Sequence, residues 1–285
     1  MAYPTGCWQN TTVITMLEAL QYDFMRYAVI AAVLASVICG ITGTIVVSKR
    51  LVSMAGGVAH SAYGGIGMAL FFGFSPQLGA LGFALVSSCF MAWITLRAKS
   101  RADTIISIIW AVGMAIGVIF SDLTPGYGAD LMSYLFGSIL MVTKGDIISM
   151  GLLCFILSAF VPTFYGQLLA YSYDEEYART RGIPVTFLHF AVIVLISFSV
   201  VLIIRIVGLI LVIALLSIPP YIAERFCRSL AGMMITSTLL SLIFSVSGLM
   251  VAYKFNLTSG AAIIVIAAIC YFATEVASRR RRGQQ

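Results

Sequence analysis

Nine apolar runs follow one another along the chain, at roughly 27–47, 52–72, 77–97, 104–121, 146–169, 187–204, 206–221, 231–253 and 258–277. The apolar positions are continuous rather than alternating, which predicts helices and excludes the short dyad-patterned strands of a membrane barrel. A helix needs ~17–25 such residues to cross a bilayer, and all but 206–221 meet that length comfortably. The expected architecture is an all-α, polytopic transmembrane bundle of about eight or nine spans, forming a single domain over 1–285. Residues 129–143 are too short to span and read as a re-entrant or interfacial piece. Residues 1–22 mix polar and aromatic positions and suit an interfacial helix.

One long polar island interrupts this pattern. Residues 171–184 read Tyr-Ser-Tyr-Asp-Glu-Glu-Tyr-Ala-Arg-Thr-Arg-Gly-Ile-Pro. Asp174, Glu175 and Glu176 would open a short helix, and Arg179 and Arg181 would lie in its last turn. This order of charge suits the helix dipole, and Gly182 followed by Pro184 is a stop signal. A capped amphipathic helix between two spans predicts a dock for a soluble partner.

Composition strengthens the membrane reading. Hydrophobic residues make up 61% of the 285 and charged residues 10%, with a mean hydropathy of +1.04. Soluble domains carry about 45–50% apolar and about 25% charged residues. No separate soluble domain or internal repeat is evident, and the N-terminus lacks the pattern of a cleaved signal peptide. The six cysteines, at 7, 39, 89, 154, 227 and 270, form no Cys-x-x-Cys pair and read as small packing residues.

Charge sets the expected orientation. With 174–184 inside and alternating spans, the inner side holds Lys49, Arg50, Arg97, Lys99, Arg101, Arg179, Arg181, Arg225, Arg228 and Arg279 to Arg282. The outer side holds Arg26, Lys144, Arg205 and Lys254. All 17 basic residues are then assigned, thirteen to four, as the positive-inside rule requires. The net charge of +6 is therefore no nucleic-acid signal. The Arg279–Arg282 run suits anionic lipid headgroups.

Candidate chemistry is sparse. No Gly-x-x-x-x-Gly-Lys-Ser/Thr, His-Glu-x-x-His, Gly-x-Ser-x-Gly or Cys/His cluster occurs, so the chain is not expected to be an enzyme or to bind ATP itself. His60 lies within the run 52–72, among Gly56, Gly57, Gly64 and Gly65. An ionisable group at that depth is costly unless it faces a cavity or partner, so it is a candidate metal ligand on a transport path. Asp122 and Asp130 fall on the predicted outer face, where carboxylates attract cations. His189 reads as an ordinary interfacial histidine.

These motifs resemble the permeases of ATP-binding-cassette importers of zinc, manganese or iron. The stretch 173–184 is similar to that family's coupling helix, Phe-Asp-x-Glu-Phe-Ala-x-x-x-Gly-hydrophobic-Pro. Residues 205–219 resemble its Arg-Val-Val-Gly run ending in Ile-Pro, and 130–140 resemble a further signature. The resemblance implies cytoplasmic ATP-binding subunits that contact Asp174, Glu175, Glu176, Tyr177 and Gly182. It also implies an extracytoplasmic metal-binding protein and a second permease copy or paralogue in the plasma (inner) membrane. The chain itself would bind no cofactor; ATP would sit on the partner and the divalent metal would be cargo. The family usually carries Asp four residues before the histidine of this span, where this chain has Gly56. Another residue, a weaker site or a paired permease could each account for that. The competing reading is an ATP-independent secondary transporter or channel for a small cation.

Overall fold

The structure is a computed structural model that describes residues 23–97, 101–124, 142–255 and 257–282, with the side chains of all but 23, 24, 205, 206 and 277–282. The described residues form eleven helices and no strand. They are α1 (Asp23–Ser48), α2 (Val52–Phe72), α3 (Pro76–Arg97), α4 (Ala102–Asp122), α5 (Lys144–Thr163), α6 (Tyr165–Tyr173), α7 (Glu175–Thr180), α8 (Val185–Val207), α9 (Leu209–Phe226), α10 (Leu230–Phe255) and α11 (Ser259–Arg282). Nine of them are long, and they match the nine apolar runs. Eight are long and apolar enough to cross a membrane; α2, diluted by glycine and His60, is the ninth. The long helices run up and down, so that α7, Lys49 after α1, Thr95 in α3 and the start of α8 meet at one end of the bundle.

Two boundaries differ from the sequence reading, for local reasons. The run 146–169 is not one helix. Pro162 lies in the last turn of α5, and Phe164 leaves helical geometry at φ −108° and ψ 17°; proline weakens the turn because it lacks an amide proton. The chain restarts as α6, which carries Tyr171 into the bundle. The run 206–221 shifts to 209–226 because Gly208 adopts φ 88°, a conformation that favours glycine.

α1 and α8 are central, with 67% and 61% of their apolar windows buried; α4 and α5, at 22% each, face outward. α2 lies between α3 and α4 and also touches α8 and α9. Glycine sets its spacing to α4. A Cβ on Gly64 would come within 2.7 Å of the Gly113 carbonyl oxygen, and one on Gly117 within 2.6 Å of the Tyr63 carbonyl oxygen. Lipid supplies little hydrophobic drive between helices, so such close backbone contact is what holds them. A methyl group forced in there costs about 1–3 kcal/mol. α1 meets α9 by a related route: Pro220 cannot donate to the Leu216 carbonyl, and Gly43 packs against that group, where a Cβ would lie 2.7 Å from its oxygen.

Candidate functional site

His60 sits eight residues into α2, ~12 Å along its axis. Its neighbours on the helix are buried, whereas the ring itself is half-buried. The imidazole stacks on the indole of Trp110 in α4, with centroids 4.1 Å apart and planes at 15°. The Trp110 N–H is directed to the Met114 sulfur at 3.2 Å. His60 Nδ1 is buried and has no hydrogen-bond partner among the described residues. A neutral imidazole with an unengaged nitrogen is chemically a metal ligand. No group of three or more His, Cys, Asp or Glu that could hold a metal is found among the described residues, so the described part of a single chain offers no complete cage.

The carboxylates singled out by sequence do not join His60. Asp122 is exposed and ends α4, twelve residues beyond Trp110 and therefore ~18 Å further along the helix. Asp130 lies outside the described residues, as do most of 129–143 and all of 1–22. Asp146, also on that side, is buried in a capping box: its carboxylate accepts from Thr143 N at 3.0 Å and Thr143 Oγ1 at 2.6 Å. That geometry starts a helix. At Gly56 the nearest atom to a built Cβ is Ile213 Cδ1 at 4.0 Å, so the position without the acid is sterically open.

The polar island folds as its charges predict. Asp174 caps α7 by accepting from Tyr177 N at 2.9 Å. Gly182 terminates it at φ 75°, and Ile183 N closes back on the Ala178 carbonyl at 3.1 Å. Ala178 is fully buried and pins the helix to the bundle. Glu176, Tyr177, Arg179 and Arg181 face outward, with Arg181 Nε donating to the Tyr177 hydroxyl at 2.9 Å. Glu175 turns inward instead. Its carboxylate pairs with Arg179 at 2.9 Å and with Lys49 Nζ at 3.8 Å.

His189, read from the sequence as an ordinary interfacial histidine, is held at both ring nitrogens. It is 6% exposed, with Nδ1 engaged by the Tyr171 hydroxyl at 2.7 Å and Nε2 by Thr95 Oγ1 at 2.9 Å. The available signal was that the chain has only two histidines and that one of them adjoins the polar island.

The sequence matches the ABC 3 transport family over residues 21–278. A membrane protein of uncharacterized role from Synechocystis is 44% identical over 267 residues, 93% of this chain and 95% of its own. The manganese transport system membrane protein MntC of Listeria monocytogenes is 28% identical over 257 residues, covering 90% of this chain and 91% of its own. Among solved structures, PsaBC from Streptococcus pneumoniae in complex with Fab superposes with a TM-score of 0.82 at 27% identity, covering 92% of this chain and 95% of that one. With eight membrane-grade helices, a capped helix between two of them and a family match over nearly its whole length, this chain is a multi-pass membrane protein of the ABC 3 transport family.

Proposed function

We propose that the chain is the permease of an ATP-driven importer of a divalent transition-metal ion. Manganese is the first choice, from the name of the Listeria relative; zinc and iron also suit an imidazole ligand. The observation that carries the reading is α7, a capped helix with an exposed acidic and aromatic face at one end of a bundle without a nucleotide-binding motif. Such a helix is a lever for a separate ATPase. The thirteen-to-four distribution of basic residues supports a cytoplasmic position for this end, beneath the plasma membrane.

In this reading an extracytoplasmic binding protein delivers the ion at the opposite end, where Asp122 adds negative potential. The ion then passes His60. That ring lies on a half-open flank of α2 and α4, where an imidazole facing hydrocarbon would be costly. A second permease copy or paralogue set against this flank gives it a protein and water environment and supplies further ligands. Closure of the ATPase pair pushes on α7 and switches access. The chain performs no covalent chemistry and holds no cofactor. Glu176 and Tyr177 are the ATPase contacts, and Asp174 and Gly182 shape the helix. Glu175 ties it to α1 through Lys49.

Glu176→Lys reverses an exposed charge on that face without touching the bundle. We expect radioactive manganese uptake to fall at least tenfold while the chain still inserts in the membrane, and the ATPase to co-purify less well. Normal uptake in that variant, or uptake that survives ATP depletion, would favour the secondary transporter or channel instead.

A further inference from the structure

Tyr171 in α6, His189 in α8 and Thr95 in α3 form one hydrogen-bonded chain, and its protons can be assigned. The Thr95 hydroxyl donates to the Ala92 carbonyl at 2.9 Å. It has one proton, so toward His189 it can only accept. His189 is then the Nε2–H tautomer and donates to Thr95 at 2.9 Å. Its Nδ1 must accept, and the Tyr171 hydroxyl donates to it at 2.7 Å. Burial, and next the charge of Glu175, push the Tyr171 phenol above its ordinary range, so it keeps the proton this scheme needs.

Lys49 closes the assembly onto α7. Its ammonium lies 3.9 Å from the centre of the Tyr171 ring, donates to the Tyr171 carbonyl at 2.8 Å and pairs with Glu175 at 3.8 Å. A displacement of α7 thus meets Tyr171 through Lys49 and meets His189 through Tyr171. His189 hands it to α3 at Thr95. α3 in turn lies backbone against backbone on α2: a Cβ on Gly79 would run into the Gly65 carbonyl oxygen. α2 carries His60.

We propose that His189 is a positioning residue for transport: a rigid joint that makes α3 and α8 move as one body with the coupling helix. This rests on α7 being the ATPase dock. A merely structural histidine would hold the same contacts but would not set the metal moved per ATP hydrolysed.

The test uses the permease with its ATPase in proteoliposomes, supplied with the binding protein and with manganese as the probe. His189→Leu keeps bulk and removes both bonds; Tyr171→Phe removes one hydroxyl. We expect each to lower manganese transported per ATP about tenfold, the factor carried by a hydrogen bond of about 1.4 kcal/mol. Co-purification of the ATPase should stay near wild type, and the melting midpoint should fall by only a few degrees, as the loss of one or two buried hydrogen bonds requires. The double variant should be no worse than the worse single one, because one chain is cut in either case. A wild-type ratio in His189→Leu, or additive losses in the double variant, overturns the joint. Should His189→Leu fail to assemble, Tyr171→Phe and Thr95→Val carry the same expectation, and wild-type ratios in both overturn it. Failure of the ATPase to co-purify with the wild-type chain would instead refute the dock.

Discussion

The two histidines occupy opposite chemical situations. His189, at the α7 end, has both nitrogens spent on hydroxyls and is almost wholly enclosed. His60, inside α2, lies flat on Trp110 with a buried Nδ1 that no described residue engages. A saturated imidazole fixes three helices at one point and has nothing left for an ion. An unsaturated one is poor at holding helices but open to a metal. The glycine-lined backbone contacts of α2 do the holding there, which leaves its side chain available. One residue type thus ties helices together where its valences are filled and keeps an unengaged nitrogen where they are not.

The strongest way to break this contrast is His60→Ala. Removing the ring deletes the proposed ligand but none of the close packing between Gly64 and Gly113. We expect manganese uptake to fall by about a hundredfold, toward the upper end of what loss of a metal-supporting group costs. Expression, membrane insertion and ATPase co-purification should be unchanged. Uptake at the wild-type rate would show that His60 is not on the transport path and move that path to Asp122 and the surface between permeases.

The helices were legible because bilayer thickness forces long apolar runs, and a polar island among them has few explanations. Pro162 split a run that hydropathy joined, since hydropathy ignores a missing amide proton. The cap at Asp174 and the stop at Gly182 were legible because both are local chemistry. His60 was legible as a polar residue at the wrong depth. His189 was not: its partners lie 18 and 94 residues away, and only the folding of α3, α6 and α8 brings them together. Glu175 looked like an outward contact for the same reason, because nothing local predicts that Lys49 will lie beneath it.

The contrast can also be sharpened by completing the open site. Gly56 is one turn from His60 and on the same face, and a Cβ there meets only Ile213 Cδ1 at 4.0 Å. One residue on, a Cβ at Gly57 would lie 2.8 Å from Ile106 Cγ2, so the room is specific to position 56. Gly56→Asp should tighten manganese binding about tenfold. Without metal the new carboxylate is a buried charge with only a neutral imidazole beside it, which is destabilising. The variant should therefore melt below wild type in chelator and recover with manganese, a ligand-dependent shift that mass action requires. A melting point indifferent to manganese would show that the two positions do not share a site.

The smallest expected effect is at Trp110. Its ring covers one face of His60 at 4.1 Å, and it is 39% exposed on the outer side of α4. An aromatic pair contributes about 0.5–1.5 kcal/mol beyond its buried area. Trp110→Leu keeps an apolar side chain on α4 but frees the imidazole to rotate. The cost should fall on orientation, so half-saturating manganese should rise about threefold while the maximal rate holds. Trp110→Phe, which can still stack, should lie close to wild type. A drop in maximal rate with unchanged half-saturation would mean that Trp110 serves the movement of α4 instead. His60 would then owe its geometry to α2 alone, whereas His189 depends on partners in two other helices.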